Sequence, residues 1–396
     1  MKTILFAWEL GANLGHLTRD LPLARACRDA GYRVVFAVAN LRAASSFLGD
    51  EDFLLLQAPI LKSSITRRVA PVNFPDMLLH EGYDDEHGLR AVLRGWESLF
   101  ALIAPAVVVY NHAPTALIAA RCSGIPVVII GTGFEIPPRR HPQSSFRPWQ
   151  NIPQAVLEQA DSTVVAQINR HLARRGAPEI GRLADLYSGS RPLLTTFREL
   201  DHFGFREEAE YIGPVYALDS AAAVSWESGE ASRKVFVYLR ASMGCCALVL
   251  DGLQRSDAEV ICAIPGAPSD WSRRYPKLRL CTEPVDLQML LPAADVVVAY
   301  GAGTIATSLA AGRPVLALPS LAEQYLAGAA LEATGAGIML RNQSAEAFAA
   351  ALQSLLFDGR YRQAALDFSA RYAAFEPEAA CRRLLQEVMQ ASASRS

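Results

Sequence analysis

The opening of the chain carries the pattern that most restricts its fold. A short apolar run, Thr3–Trp8, is followed by a glycine-containing loop at 11–16 and by apolar residues at helical spacing over 17–30. Gly31 ends this helical segment, and a second apolar run at 32–39 begins directly after it with little alternation. Such runs are typical of strands buried on both faces of a parallel sheet. The opening therefore predicts a strand, a helix and a strand in the order of a βαβ unit.

The same pattern continues and then starts again in the second half. Further apolar runs complete the first half at 53–57, 106–110 and Val127–Gly131. A new strand pattern begins at 234–239 and leads through a small-residue loop into a helix at 247–254. The later strands and helices of this half are predicted at 260–264, 278–281, 295–299, 304–311, 314–318 and 323–334. Two doubly wound α/β domains are therefore expected.

The predicted boundary between the two domains lies near Pro214, ahead of a small and polar stretch at 217–233. The segment 345–389 has helical apolar spacing and is broken by Pro377. The predicted domains are 1–215, 216–375, and a terminal helix with a frayed tail at 376–396.

Composition narrows the classes of function. The chain has 396 residues, 51% of them hydrophobic, so it can bury sizeable cores and is not disordered. Its 38 lysines and arginines nearly balance 40 acidic residues, and the net charge of -2 argues against nucleic acid as a partner. No apolar run reaches the roughly 18 to 20 residues that cross a bilayer. Seven cysteines without a CxxC pair are expected to be reduced thiols, so a cytoplasmic protein without a transmembrane segment is predicted.

Polar residues follow the predicted strands in both halves. In doubly wound domains, ligands bind outside the carboxyl ends of the strands, where loops and helix N-termini meet. The candidates in the first half are Glu9, His16, Asn111, His112 and Glu135. The candidates in the second half are Arg240 and the loop residues Tyr300, Gly301, Gly303 and Thr304.

Three segments together resemble a known family. They are Gly15-His16-Leu17 after the first strand, Ile212-Gly213-Pro214 near the boundary, and the block 295–324, DVVVAYGAGTIATSLAAGRPVLALPSLAEQ. In order and spacing they resemble nucleotide-sugar-dependent glycosyltransferases of the GT-B fold, and the UDP-glycosyltransferase-like group is the most similar. The resemblance implies two facing Rossmann-like doubly wound domains, the first for the acceptor and the second for the nucleotide sugar. It also implies a C-terminal helix that crosses back to the first domain.

His16 is the predicted general base. An acceptor hydroxyl is a poor nucleophile until its proton is removed, and a histidine that titrates near neutrality is suited to remove it. In the family that the chain resembles, the histidine at this position is the general base, and an aspartate after a later strand orients it. That position matches Asn111, whose amide can orient the imidazole but cannot stabilise imidazolium by charge. The carboxylates that could compensate are those of Glu9, Asp20 and Glu135.

The acceptor side is predicted from the first half. Glu135 is grouped with His16 and Asn111 as the catalytic set, and the residues placed on the acceptor side are Glu9, His112 and Phe134. The loops at 61–95 and 133–150 are expected to shape the acceptor site. Their aromatic residues fit either a hydrophobic small molecule or ordinary packing: Phe74, Tyr83, Phe134, Phe146 and Trp149.

The donor side is predicted from the second half. A helix that begins at Thr304, straight after a loop with Tyr300, Gly301 and Gly303, can hold a diphosphate with its free N–H groups and its dipole. Arg240 could add positive charge there, or it could form an ordinary ion pair.

The resemblance also shows where the donor side departs from the family. Ala299 stands where the family has a phosphate-contacting histidine, and Thr307 stands where it often has an acidic residue for the ribose. Glu323 and Gln324 match the pair that hydrogen-bonds sugar hydroxyls in the family, although Glu323 could also complement a helix dipole.

The sequence thus predicts an inverting, metal-independent glycosyltransferase of the hexosyltransferase type. The donor is expected to be a UDP- or dTDP-sugar acting as co-substrate, the acceptor is a hydroxyl of a small molecule, and no cofactor is expected. No DxD motif follows a predicted strand, and the acidic segment 84–87 is expected to be a solvated loop. Two alternatives stay open: a catalytically weakened nucleotide-sugar-binding protein and a nucleotide-sugar epimerase on the same scaffold.

Overall fold

A computed structural model describes the chain in two compact units. The described residues are 1–11, 15–49, 51–63, 69–216, 224–227, 233–283 and 285–394. The first unit holds those of 1–195, 205–216 and 376–394, and the second holds those of 196–204 and 224–375. The segment 196–204 therefore packs with the second unit, although it precedes the predicted boundary at 215.

The first unit is built on a parallel sheet of seven strands. The strands are β1 (Thr3–Trp8), β2 (Arg33–Val38), β3 (Leu54–Gln57), β4 (Val107–Asn111), β5 (Val127–Gly131), β6 (Leu193–Leu194) and β7 (Glu210–Tyr211). Their order across the sheet is β3-β2-β1-β4-β5-β6-β7. All the pairings are parallel. The chain order reverses between β1 and β4, which makes this the switch point of the sheet.

Helices cover the sheet of the first unit. They are α1 (Gly15–Asp29), α2 (Leu41–Leu48), α3 (Phe74–His80), α4 (Glu86–Ile103), α5 (Pro114–Cys122) and α6 (Gln154–Arg174), together with a short 3-10 helix at Leu183–Tyr187. All six residues of β1 are buried, as expected for a central strand with helices on both faces.

The second unit repeats this architecture. Its strands are β8 (Lys234–Tyr238), β9 (Glu259–Ala263), β10 (Arg279–Cys281), β11 (Val296–Ala299), β12 (Val315–Ala317) and β13 (Gly337–Met339), in the order β10-β9-β8-β11-β12-β13. Its helices are α7 (Cys246–Gln254), α8 (Trp271–Arg274), α9 (Leu287–Leu290), α10 (Ala302–Ala310), α11 (Ala322–Ala333), α12 (Ala345–Phe357) and α13 (Gly359–Arg371), with 3-10 helices at Arg198–Leu200 and Leu291–Ala293. The switch point lies between β8 and β11.

Successive side chains of a strand in the second sheet pack into different core clusters, one on each face of the sheet. Phe236 packs into one core cluster, whereas its neighbours Val235 and Val237 pack into the other. Side chains along a strand point alternately to opposite faces, so a strand whose residues are all apolar supplies both cores. This explains why the strand sequences show continuous apolar runs.

The last helix, α14 (Pro377–Ala393), belongs to the first unit. It packs against α1, β4 and β5, and its Leu384 and Val388 are fully buried. Arg383 donates to both carboxylate oxygens of Glu210, at 2.8 and 2.9 Å. Pro377 begins the helix, where a missing N–H costs no intrahelical hydrogen bond.

The predicted two-domain α/β fold is confirmed, and each strand predicted from the sequence lies within one residue of its observed ends. Three strands were not predicted, namely β6, β7 and β13, because two or three residues are too short to show a pattern. The prediction of loops over 61–95 is wrong in part, since α3 and the first half of α4 lie there. Among the described helices, none has the length and apolar character needed to cross a membrane.

Leu384→Ala tests the packing of α14. Removing a fully buried leucine side chain should lower the free energy of unfolding of the first unit by about 2 to 5 kcal/mol. Urea unfolding followed by circular dichroism measures this change. Met389→Ala is the matched control on the same helix, because Met389 is 45% exposed. Equal effects of the two substitutions would contradict the packing described for α14.

Candidate active site

The ends of β1 and β4 bring together residues that are far apart in sequence. These strands are neighbours at the switch point of the first sheet, and their register pairs Trp8 with Asn111. The loop after β1 leads into α1, whose second residue is His16. Three of the sequence candidates, His16, Asn111 and His112, therefore lie at one edge of the sheet.

The imidazole of His16 is held between two rings. It lies 5.4 Å from the ring of Trp8 and 5.9 Å from the ring of His112, stacked on both. Its Nδ1 lies 2.7 Å from Oδ1 of Asn111. On the other side of the ring, a Cβ built at Gly11 would lie 2.6 Å from Nε2. Gly11 therefore leaves the space that this nitrogen occupies.

The side chain of Asn111 has a fixed orientation. Its Nδ2 donates to the backbone carbonyl of His16 at 3.1 Å and to Oδ2 of Asp20 at 2.7 Å. Its Oδ1 accepts a hydrogen bond from Arg19. A guanidinium group can only donate, so the amide atom that faces Arg19 must be the oxygen. The same oxygen lies 2.7 Å from Nδ1 of His16, whereas Nη2 of Arg19 lies 3.4 Å from that nitrogen. An amide oxygen can only accept, so the shorter contact assigns the proton to Nδ1 and leaves Nε2 as the acceptor nitrogen.

Arg19 connects this group to Glu135. Its Nη1 donates to Oε1 of Glu135 at 2.9 Å, and both side chains are buried. The other carboxylate oxygen of Glu135 accepts from the backbone N–H and the hydroxyl of Thr132, at 2.8 and 2.9 Å. No hydrogen bond joins Glu135 to His16 in the described structure. Glu135 was predicted as a catalytic residue, and Arg19 lies between it and His16, with Nη1 bound to Glu135 and Nη2 at 3.4 Å from Nδ1 of His16.

Burial shifts the ionisation of the group. Burial and the positive charge of Arg19 lower the pKa of His16 to about 4, so its imidazole is neutral near pH 7. Burial raises the pKa of Asp20 to about 7, although Arg19 and Asn111 oppose this. Burial alone would raise the pKa of Glu135, but the positive charge of Arg19 outweighs this effect and lowers it. Glu135 is therefore ionised, and it balances the charge of Arg19.

Glu9, which was predicted on the acceptor side, binds the start of α5. Its carboxylate accepts from the backbone N–H groups of Thr115 and Ala116, at 3.1 and 2.6 Å, in the first turn of α5. The N-cap residue of this helix, Ala113, has no side chain that could do so. Burial raises the pKa of Glu9 to about 7. Glu9 thus caps α5, and no hydrogen bond joins it to His16 among the described residues.

His112 and Phe134 lie in one aromatic group. His112 has a left-handed backbone with a φ of 51°, and its Nε2 is buried without a hydrogen-bond partner among the described residues. Its ring lies 6.3 Å from that of Phe134 and 6.1 Å from that of Phe74. Burial lowers the pKa of His112 to about 3. Of the aromatic residues predicted near the acceptor, Trp149 is half exposed and the others are buried.

The candidate donor residues gather at the switch point of the second sheet. Arg240 follows β8, and its guanidinium lies 4.9 Å from the ring centroid of Tyr300, which follows β11. Gly301 is the N-cap residue of α10, and the space where its side chain would be is open. The helix begins at Ala302, two residues before the predicted start at Thr304.

The first turn of α10 therefore offers the N–H groups of Ala302, Gly303 and Thr304, which have no partner within the helix. The first intrahelical bond is donated by Ile305 to the carbonyl of Gly301, at 3.2 Å. Gly303 and Thr304 thus belong to the helix and not to the loop before it. Unpaired N–H groups at a helix start attract anions.

Glu323 and Gln324 occupy the first turn of α11. Oε1 of Glu323 lies 3.2 Å from Nε2 of His202, whose side chain is fully buried in the second unit. Oε1 of Gln324 accepts from the backbone N–H and the hydroxyl of Ser320, both at 2.9 Å. The carbonyl oxygen of Gln324 is therefore engaged by its own loop, whereas the carboxylate of Glu323 is 27% exposed.

Ala299 and Thr307 are the two donor-side residues that depart from the family, and the structure shows what each side chain contacts. Ala299 is the last residue of β11 and is fully buried, so no side chain from this position can reach a ligand. The hydroxyl of Thr307 donates to the carbonyl of Gly303 within α10, at 3.1 Å. Neither residue replaces the group that the family carries there.

Sequence reasoning missed three residues of these groups. Arg19 follows His16 by three positions, and this spacing places both side chains on one face of a helix. The spacing was a sequence signal from which Arg19 could have been predicted. Trp8 ends β1 and was visible as a strand-end residue. His202 left no signal, because it lies 121 residues before Glu323 in a segment without a strand or helix pattern.

Comparisons with known proteins agree with this architecture. The model of the family described as erythromycin biosynthesis protein CIII-like, C-terminal domain, matches residues 247–386. A PGL/p-HBAD biosynthesis glycosyltransferase of Mycobacterium tuberculosis is 26% identical over 387 residues, covering 92% of this chain and 87% of that protein. A PGL/p-HBAD biosynthesis rhamnosyltransferase of Mycobacterium bovis is 24% identical over 389 residues, covering 92% and 83%.

Solved structures are similar over nearly the whole chain. The calicheamicin glycosyltransferase CalG4 is 17% identical with a TM-score of 0.71, and 98% of each chain is covered. The spinosyn rhamnosyltransferase SpnG, complexed with thymidine diphosphate, is 18% identical with a TM-score of 0.64, covering 97% of this chain and 100% of that one. The structural likeness confirms the GT-B fold, and the sequence comparisons confirm the predicted class, a glycosyltransferase that uses nucleotide sugars.

Gly11→Ala tests the position of the His16 imidazole. The new Cβ would lie 2.6 Å from Nε2, so the ring must move, and sugar transfer should fall at least tenfold. Transfer rates and the imidazole Hε1 resonance of His16 measure the effect. Gly31→Ala is the matched control, because Gly31 has a φ of 85° against 87° for Gly11 and nothing within 4 Å of its Cβ position. If both variants lose transfer equally, backbone strain and not the imidazole explains the loss.

Proposed function

We propose that this GT-B glycosyltransferase transfers a sugar from a nucleoside diphosphate donor to a hydroxyl of a small acceptor with inversion at the anomeric carbon. His16 of the first unit acts as the general base, and groups at the start of α10 in the second unit receive the leaving diphosphate. The observation that carries the proposal is the fixed amide of Asn111, which leaves Nε2 of His16 without a proton.

The proton of the acceptor moves to Nε2 of His16. As it leaves, the acceptor oxygen forms a bond to the anomeric carbon, and the bond from that carbon to the diphosphate oxygen breaks. A single displacement of this kind inverts the anomeric configuration. The low pKa of His16 keeps the resting imidazole neutral, so the base is ready near neutral pH.

The imidazolium that forms needs negative charge nearby. Asn111 supplies a carbonyl dipole in place of a carboxylate, at 2.7 Å from Nδ1. Arg19 lowers the pKa of His16 and Glu135 raises it, so the two charges of this ion pair oppose each other at the imidazole. Asp20, hydrogen-bonded to Asn111, adds a negative charge when it is ionised, which its pKa of about 7 allows near neutral pH. Positioning by Asn111, Arg19 and Asp20 thus replaces the direct carboxylate contact of the family.

Negative charge develops on the leaving diphosphate, which the second unit is proposed to bind. The free N–H groups of Ala302, Gly303 and Thr304 and the dipole of α10 are suited to stabilise it. Arg240, stacked on Tyr300, adds a guanidinium that can form paired hydrogen bonds with phosphate oxygens. The carboxylate of Glu323, positioned by His202, is proposed to accept hydrogen bonds from sugar hydroxyls.

The proposed donor is a dTDP-sugar, with a UDP-sugar as the second choice. Two of the structurally similar proteins, SpnG and VinC, are complexed with thymidine diphosphate. Both nucleotides share the diphosphate that the start of α10 and Arg240 would bind. Donor screening with both classes distinguishes them.

The proposed acceptor is a small molecule with a hydrophobic body. Trp8 and His112 stack on His16, and Phe134 and Phe74 lie next to His112. A hydroxyl presented to His16 would therefore sit beside aromatic surface, which favours an apolar acceptor.

His16→Ala tests the proposed function. Loss of the general base should lower kcat for transfer by about 10²- to 10⁴-fold while binding of the nucleotide sugar persists. Mass spectrometry of the product and calorimetry with dTDP- and UDP-sugars measure the two properties. His87→Ala, which removes an exposed histidine of the same unit, is the control. Transfer at the normal rate by His16→Ala would overturn the assignment of the base.

The same assay separates the alternatives. A glycosyltransferase releases nucleoside diphosphate and forms product only when an acceptor is present. Binding without product would favour a nucleotide-sugar-binding protein, and conversion of the sugar without an acceptor would favour an epimerase.

Asn111→Asp tests the electrostatic side of the proposal. A carboxylate beside Nδ1 stabilises imidazolium, so the pKa of His16 should rise above about 4. Because the base must be unprotonated, the acid limb of kcat/KM should then move to higher pH. The histidine Hε1 titration and the pH profile of transfer measure both shifts. Asn151→Asp adds the same charge at an exposed site of the first unit, and it should leave both unchanged.

A further inference from the structure

A cavity of about 590 Å³ lies on the first unit between α4 and α6. We name it the arginine cavity, because its lining includes Arg90, Arg94, Glu97, His171, Arg174 and Arg175. It lies away from the candidate catalytic group. The buried face of α4 carries Trp96, whose Nε1 donates to Thr115 at 2.9 Å, whereas the cavity lies on the opposite, exposed face of the helix.

The arginine cavity has an excess of positive charge. Four arginines line it, against the single carboxylate of Glu97. Glu97 is already bound, because both Nε and Nη2 of Arg175 donate to it. Arg174 pairs with Glu86, outside the lining. These ion pairs connect α6 to α4 and leave a net positive lining.

Arg90 and Arg94 have no carboxylate partner among the described residues. They stand four positions apart on α4, so their side chains lie on the same face of the helix. Nη2 of Arg90 lies 3.2 Å from Nδ1 of His87. Guanidinium groups that line a concave space without a carboxylate partner are free to bind an anion.

His171 gives a second, independent observation. It is 4% exposed and lines the cavity, and neither ring nitrogen has a hydrogen-bond partner among the described residues. Its Nε2 lies 3.6 Å from Oε1 of Glu97, beyond hydrogen-bond distance. A buried polar group without a hydrogen bond carries a desolvation cost that a bound acceptor would remove.

We propose that the arginine cavity binds the phosphate or diphosphate group of an anionic ligand. Arginine presents several N–H donors in a planar fork that matches phosphate oxygens, and the neighbouring imidazole adds another donor. Arg90 and Arg94 supply the unpaired charge, and His171 supplies the buried donor. The site is separate from the proposed transfer reaction and does not depend on it.

The phosphate group could belong to a free metabolite or to a lipid headgroup. The chemistry of recognition is the same for both, since the cavity would contact the phosphate and not the rest of the molecule. The two sources differ in one measurable property, because only a lipid ligand brings the chain to a vesicle surface.

The experiment titrates the full chain with pyrophosphate and follows the Hε1 resonance of His171, assigned by its absence in His171→Gln. This local signal separates the cavity from any diphosphate site at α10. We expect a saturable shift that weakens at least fivefold in Arg90→Ala/Arg94→Ala. The control Arg33→Ala/Arg42→Ala removes two exposed arginines of the same unit and should bind like the original chain. Neither pair of substitutions touches the proposed catalytic groups, so sugar transfer should persist.

Two results would overturn the proposal: a resonance of His171 that does not respond to pyrophosphate, or an affinity that is unchanged in Arg90→Ala/Arg94→Ala. Co-sedimentation with phosphatidylglycerol vesicles, and with phosphatidylcholine vesicles for comparison, then identifies the source. Vesicle binding that requires Arg90 and Arg94 supports a lipid phosphate. Pyrophosphate binding without vesicle binding supports a soluble one.

Discussion

The parallel pairing of β1 with β4 is the constraint on which the first unit depends. This pairing places Trp8 opposite Asn111. It therefore brings the start of α1 close to a residue about a hundred positions later in the chain. The pairing of β8 with β11 does the same for Arg240 and Tyr300. In both sheets the chain order reverses at these strands, so the loops separate there and leave room for a ligand. The candidate groups follow from this topology more than from any local motif.

A balance of charge governs the group around His16. Arg19 is almost fully buried, and a buried guanidinium requires a carboxylate, which Glu135 provides. Asp20 is also buried nearby, and burial raises its pKa to about 7, so the loss of water disfavours a charged carboxylate there. An aspartate at 111 would place a third carboxylate beside a single arginine. The amide of Asn111 orients the imidazole without adding that charge, which gives a physical reason for this departure from the family.

Much of the fold could be predicted, because strands buried in a parallel sheet have continuous apolar sequences that are visible without the structure. Thr3–Trp8 and Val127–Gly131 were predicted with their observed ends. The site was predicted less completely. His16 and Asn111 were predicted from their positions after strands and lie in contact at 2.7 Å, whereas Glu9 follows a strand in the same way and caps α5. A position directly after a strand indicates that the side chain lies near the carboxyl edge of the sheet, where ligands bind. It does not indicate which groups that side chain contacts.

The sequence alone determined two doubly wound α/β units, most of their strands and the residues at the carboxyl ends of those strands, because periodicity and glycine breaks are local properties. Only the tertiary structure decided that Arg19 links Asn111 to Glu135 and that His202 meets Glu323. These contacts join residues far apart in the chain. Their geometry depends on strand order and helix packing, which no local pattern of residues records.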